Sequence, residues 1–202
     1  MRILVIGATG TLGAAIAQAL DARHEVLRAS LSRSALAVDL ADPESIKRLY
    51  AKVGTVDAVV SAAGRAAFGP LLALSDEDFA LCLTNKLMGQ VNLVRFGVDA
   101  LADRGSFTLT GGFLSRFPAP GSAAISLVNA GLEGFVRAAA LDLPRGLRIN
   151  AVAPGWISET LVALKRDPST GAPAARVAQA YVKSVEGGMT GQIDDVVGSQ
   201  GT

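Results

Sequence analysis

The stretch that most constrains this chain is its first glycine cluster. Residues 2–18 read Arg-Ile-Leu-Val-Ile-Gly7-Ala-Thr9-Gly10-Thr11-Leu12-Gly13-Ala-Ala-Ile-Ala-Gln. An apolar, β-branched run meets three glycines and then turns into small and aliphatic residues at helical spacing, the pattern of a buried strand joined by a tight loop to a helix N-terminus. Glycines let the backbone turn sharply and approach a ligand closely. The unpaired N–H groups and the positive end of the helix dipole stabilise an anion there. A dinucleotide pyrophosphate is the expected guest, held by Gly7, Thr9, Gly10, Thr11, Leu12 and Gly13. The spacing is GxxGxxG rather than GxGxxG, and a bare strand-to-helix turn is the alternative.

The rest of the chain continues the alternation. Strands are expected at Glu25–Ala29, Ala35–Val38, Val56–Ser61, Ser106–Thr110, Arg148–Val152 and Gln192–Val197. Helices are expected at Pro43–Lys52, in two successive patterns over Ser75–Leu101, at Ala123–Leu143 and at Ala174–Val185. Asp42 is the expected N-cap of the first crossover helix, with Pro43 at its first position. The result is an α/β, three-layer, doubly wound Rossmann fold with a mostly parallel sheet of about seven strands, filling residues 1–202 as one domain. Ser158 to Pro173, with Pro168 and Gly171, reads as a mobile loop over the carboxyl edge of the sheet.

Composition narrows the function classes. The net charge is +1, without a long basic run, so a nucleic-acid partner is not expected. No uncharged apolar run reaches the roughly eighteen residues needed to span a bilayer, and the N-terminus lacks a signal-type segment; a soluble, cytoplasmic protein is expected. One cysteine, Cys82, and one histidine, His24, supply no metal cluster and no intrachain disulfide, and both read as structural.

In sequence, the segments resemble the short-chain dehydrogenase/reductase family almost end to end. Gly7-Ala-Thr-Gly-Thr-Leu-Gly13 is similar to its nucleotide loop, with the middle glycine displaced as in extended or atypical members. Asp39-Leu40 resembles the segment that meets adenine, and Ser61-Ala62-Ala63-Gly64 a variant of the Asn-Asn-Ala-Gly strand end. Asn85 resembles the active-site Asn. The longest match is Gly131–Leu143 followed by Arg148–Trp156, and Thr190-Gly191-Gln192 resembles the approach to the last strand. The resemblance implies a nicotinamide cofactor, held additionally by Asp39, Leu40, Ala62, Ala63, Gly64, Pro154, Gly155, Trp156 and Ile157. It also implies a homodimer or homotetramer joined through the helices of Ser75–Leu101 and Ala123–Leu143.

The resemblance breaks at the chemistry. Family members use a Ser to orient the substrate oxygen, a Tyr to pass a proton, and a Lys four residues on that lowers the Tyr pKa and holds the ribose; a phenol with a pKa of about 10 is otherwise a poor base at neutral pH. Those positions are Gly112, Ile125 and Asn129. Asn129 can hydrogen-bond ribose hydroxyls but carries no charge; satisfying backbone groups is its alternative use. Tyr50 and Tyr181 read as packing residues away from the nicotinamide edge. Asn85 and Lys86 are therefore the candidate catalytic residues, with Ser115 and Arg116 as further polar groups near the substrate. Lys86, Ser115 and Arg116 each also read as solvated surface.

The end of the second strand carries no acid to meet an adenosine ribose. Ser30, Ser32 and Arg33 instead form a candidate clamp for a 2′-phosphate, or a plain turn between strands. The expected cofactor is NADP(H), with NAD(H) possible. Two readings follow, an oxidoreductase with a departed active site that reduces a carbonyl-type substrate, or a catalytically inactive NADP(H)-binding module.

Overall fold

A computed structural model describes residues 1–198; the last four residues of the expected domain lie outside the described residues. Seven strands form one sheet, β1 Arg2–Ile6, β2 Glu25–Ser30, β3 Leu36–Ala37, β4 Val56–Ser61, β5 Leu101–Thr110, β6 Arg148–Pro154 and β7 Ile193–Val196. Their spatial order is β3-β2-β1-β4-β5-β6-β7 and every pairing is parallel. The order reverses at β1 and β4, so the crevice at their carboxyl ends is the switch point where ligands bind in such sheets.

Alternation along β1 explains the layers. Ile3 and Val5 pack on one face with Ile16, Leu20, Val177 and Tyr181 from helices α1 (Thr11–Asp21) and α7 (Ala174–Glu186). Leu4 and Ile6 point to the other face, with Leu49 from α2 (Pro43–Val53), Leu93 from α4 (Gly89–Gly97) and Leu132 and Val136 from α5 (Ala123–Asp142). Asp42 caps α2, its Oδ1 accepting the Glu44 N–H at 2.9 Å.

Three expectations change in the fold. β5 begins at Leu101, not Ser106, because a bulge shifts its register between Val56 and Ala58; Gly105 passes close to the carbonyls of Ala102 and Asp57, where a Cβ would come within 2.8 Å. Ser158–Pro173 is structured. It contains helix α6 (Ser158–Ala163) and a short 3₁₀ turn, and is tied down by the Ile157–Ala172 bridge and by the Glu159 carboxylate, which accepts the Ala174 N–H at 2.9 Å. The third change lies between α3 (Asp76–Leu81) and α4, where residues Cys82–Met88 form a π-helical stretch; the Gly89 N–H reaches back to the Thr84 carbonyl.

α5 is long and apolar enough to cross a membrane by length and composition. In the fold it packs against β6 and carries Glu133, which is buried in ion pairs with Arg116 and Arg137. His24 pairs with Glu186 at 2.9 Å, and the buried Cys82 Sγ accepts the Ala67 N–H, so both residues are engaged structurally. The Tyr50 hydroxyl donates to the Leu93 carbonyl inside the α2–α4 packing.

Candidate functional site

The glycine loop folds as a set of close backbone approaches. Gly7 has φ +82°, and its N–H and that of Ala8 bond to the Ala29 carbonyl, turning the chain out of β1. A Cβ on Gly13 would overlap the Gly7 carbonyl oxygen, so only glycine allows α1 to start this near the strand. Gly10 is the N-cap without a side-chain bond, and the first turn of α1 has no acid. The first intrahelical bond runs from Ala14 N–H to Gly10 carbonyl, which leaves the amides of Thr11, Leu12 and Gly13 without a helical acceptor. By contrast, α2 and α3 are capped by Asp42 and by a Ser75–Asp78 capping box. An open helix start in a glycine cradle fits a pyrophosphate.

Beside it, a cleft of about 80 Å³ is lined by Gly7, Ser30, Leu31, Asp39, Leu40, Ala63, Gly64 and Asn85. Ala62 approaches from β4, its carbonyl 2.7 Å from where a Gly7 Cβ would stand. The turn expected to clamp a 2′-phosphate offers fewer free groups than its sequence implies. Ser30 is buried and its hydroxyl donates to the Ser32 carbonyl within the turn, so it is not free to meet a phosphate. Arg33 is exposed, in the left-handed region at φ 61°, and faces a groove it shares with Thr9, Arg28 and Ser34. The Asp39 carboxylate accepts the Ala41 N–H at 2.9 Å and braces the turn before α2.

The second half of the edge is a cavity of about 390 Å³ at the ends of β5 and β6. It brings together Gly64, Lys86, Gly112, Ile125, Asn129, Pro154, Gly155, Trp156 and Ile157, with Phe68, Thr110, Phe113, Leu114 and Thr160 completing the wall. Phe68 meets Trp156 edge to face at 6.4 Å, and the Arg166 guanidinium lies 4.8 Å from the Trp156 ring centre.

Lys86 is not a solvated surface residue. The π-helical stretch turns both Asn85 and Lys86 inward, and Lys86 is 8% exposed. Its Nζ donates to the carbonyls of Thr110 at 3.4 Å and Gly111 at 3.3 Å, and burial lowers its pKa to about 8. Asn85 faces the nucleotide cleft, where its Oδ1 accepts the Arg65 N–H at 2.7 Å and so sets the loop after β4. Ser115 and Arg116 do not line the cavity. The Ser115 hydroxyl donates to Gly112 carbonyl and Glu133 carboxylate, while Arg116 pairs with Glu133 and Asp195.

Asn129 is 1% exposed and its Oδ1 has no hydrogen-bond partner, so the reading in which the amide satisfies backbone groups does not hold for that atom. A Cβ at position 112 would lie 2.5 Å from Asn129 Nδ2. Glycine at 112 and asparagine at 129 thus fit each other, and the amide faces the cavity because no side chain covers it.

One group, Gln90, escapes a sequence reading, and Tyr181, expected away from the nicotinamide edge, lies at the end of β5 instead. Gln90, fully buried, clasps the end of β5: its Oε1 accepts the Thr110 N–H at 2.8 Å, and its Nε2 donates to the Thr110 and Lys86 carbonyls. Tyr181 reaches the same strand end from beneath, its hydroxyl 2.7 Å from Thr110 Oγ1. Burial raises the phenol pKa, which suits a packing role and not proton transfer. A polar residue one turn after Lys86 on the same helical face is the signal that could have marked Gln90.

Comparison with known proteins matches this geometry. A family model described as enoyl-(acyl carrier protein) reductase covers residues 8–196. Hydroxynaphthalene reductase arp2 of Aspergillus fumigatus is 30% identical over 147 residues, 68% of this chain and 54% of that protein. The 3-oxoacyl-(acyl-carrier-protein) reductase FabG of Escherichia coli is 28% identical over 201 residues, 86% and 82% of the two chains. The chain spans about half the length of the first of these curated relatives. Among solved structures, the protein lin1944 from Listeria innocua is 42% identical with a TM-score of 0.93, over 97% and 99% of the two chains. A small-chain dehydrogenase in complex with NADPH is 25% identical with a TM-score of 0.86, over 98% and 96%. The chain belongs to the short-chain dehydrogenase/reductase family.

Proposed function

We propose that the chain is an NADP(H)-binding oxidoreductase that reduces a small carbonyl-type substrate through a non-standard active site. The observation that carries it is the continuity of the two halves of the edge: the open start of α1 and the cleft beside it meet, at Gly64, a cavity whose floor holds Lys86 and the unpartnered amide of Asn129. The residues present fit the cofactor. Gly7, Gly10 and Gly13 with the amides of Thr11 and Leu12 would hold the pyrophosphate, Asp39 and Leu40 the adenosine end, Arg33 with Ser32 a 2′-phosphate, and Asn129 a ribose hydroxyl. The neighbour crystallised with NADPH supports the same choice.

A bound reduced nicotinamide supplies a hydride. The chain's own part is to hold the substrate oxygen near the Lys86 ammonium and pass it a proton, the amine then recharging from solvent. With an acid whose pKa is about 8, turnover falls as pH rises through that value. Asn85 acts as a positioning residue through Arg65. Titration with NADPH and NADH, followed by loss of reduced-cofactor absorbance over a panel of carbonyls and quinones, tests the reading. NADPH binding without turnover on any of them replaces it with the second reading, an inactive binding module, which the glycine, isoleucine and asparagine at 112, 125 and 129 favour.

The chain is further proposed to be a cytoplasmic homodimer or homotetramer, supported by the exposed Leu83 and Met88 of the π-helical stretch and Leu127 of α5. Light scattering that gives a monomer mass overturns the assembly.

A further inference from the structure

The cavity after β5 and β6 has sides of one kind and a floor of another. Phe68, Phe113, Ile125 and Trp156 give it broad apolar walls. Lys86 and Asn129 lie in the floor, both more than nine-tenths buried. The Lys86 ammonium donates only to two backbone carbonyls, at 3.3 and 3.4 Å, the outer limit of a hydrogen bond. Among the described residues no carboxylate pairs with it. Glu133, the buried acid of α5, is held instead by Ser115, Arg116 and Arg137. With no side chain at Gly112 the Asn129 Nδ2 stays uncovered beside the cavity, while its unpartnered Oδ1 is an acceptor and takes no part in holding an anion. Buried charge without a counter-ion is costly, and an anion arriving from the cavity removes that cost.

We propose that the cavity binds an aromatic acid: a flat apolar body lying against the wall of Phe68, Phe113 and Trp156, with its carboxylate, or an equally acidic oxygen, on the Lys86 ammonium and the Asn129 Nδ2. This goes beyond the oxidoreductase reading and shares only the cavity with it, since an acid so bound takes up the Lys86 ammonium that the carbonyl reduction uses as its proton donor. The groups facing Lys86 leave the charge to the ligand. β5 offers carbonyls, the loop after β4 offers the backbone of Gly64, α5 offers a neutral amide, and the one titratable group acting on it is the Cys82 thiol of its own π-helical stretch.

The test uses the intact protein, 3-phenylpropionate and its uncharged amide, with emission from Trp156, the only tryptophan, as the readout. At pH 7 the acid is expected to bind at least about tenfold more tightly than the amide. That preference falls as pH rises through about 8, where the amine loses its charge. In Lys86→Met the preference disappears, while Lys86→Arg, which keeps the charge, retains part of it. Equal binding of acid and amide by the wild-type protein, no binding of either, or a preference that survives in Lys86→Met overturns the proposal. NADPH is titrated separately by calorimetry: its failure to bind, with the acid preference intact, sinks the oxidoreductase reading and leaves this site standing.

Discussion

The two halves of the carboxyl edge are built from different materials. After β1 the nucleotide cleft is made of backbone: helix amides, a left-handed glycine and positions where side chains must be absent. After β5 the cavity is made of side chains from several elements, with Lys86 from the π-helical stretch, Asn129 from α5 and Trp156 from beyond β6. A backbone device tolerates little change in its few contiguous residues. A side-chain constellation can be rebuilt, because a cation reaching a cavity from one helix can stand in for one missing from another. On the proposed oxidoreductase reading, Lys86 would in this way stand in for the groups missing at Gly112, Ile125 and Asn129.

The comparison breaks first at Gly13. Gly13→Val forces a branched side chain onto the Gly7 carbonyl; we expect a loss of at least about 3 kcal/mol in stability and no measurable NADPH binding, read by thermal melting and calorimetry. Unimpaired binding would show that the loop does not work through close backbone approach.

Lys86→Met probes the other half. With a positioned acid worth two to four powers of ten, turnover is expected to fall roughly 100-fold or more. Stability moves the opposite way. The folded pKa of about 8 lies below the ordinary 10.5, so the unfolded chain binds more protons between those values and wild-type stability rises as pH climbs from 8 to 10.5. Below pH 8 the full penalty of roughly 3 kcal/mol applies. Lys86→Met removes both the penalty and the pH-dependent rise, and melts at higher temperature near neutrality. A variant less stable than wild type at pH 7 contradicts the uncompensated cation.

Arg33→Glu is expected to weaken NADPH by about 10- to 100-fold, the worth of a charge-assisted contact, and to leave NADH affinity within a few-fold. Equal losses for both cofactors remove the clamp. Smallest is Asp195→Ala, which frees one side of Arg116 in a partly exposed pair; about 0.5 kcal/mol of stability is expected, with cofactor affinity unchanged.

Much of this was legible from residues alone. β4 runs Val56–Ser61 as its pattern predicts, and α5 ends one residue from its expected boundary. Gly7, Gly10 and Gly13 form the cradle, since strand, turn and helix are contiguous there. Lys86 was harder to read. On a regular helix a residue next to Asn85 points about 100° away, so surface was the natural alternative. The wider π turn draws both inward, and no local propensity encodes it. Ser30 misled in the other direction: a hydroxyl at the right position for a phosphate is spent on its own turn.

The order of strands and helices, the glycine cradle and the reading of Gly112, Ile125 and Asn129 at the positions of the usual Ser, Tyr and Lys came from the sequence by itself, because each depends on neighbouring residues or on a single position. Only the tertiary structure decided which polar groups are buried together. Lys86, Asn129 and the end of β5 are separated by tens of residues along the chain, and it is burial among them that lowers the lysine pKa and leaves the amide without a partner. Desolvation is a property of the packed molecule and has no counterpart in the linear chain.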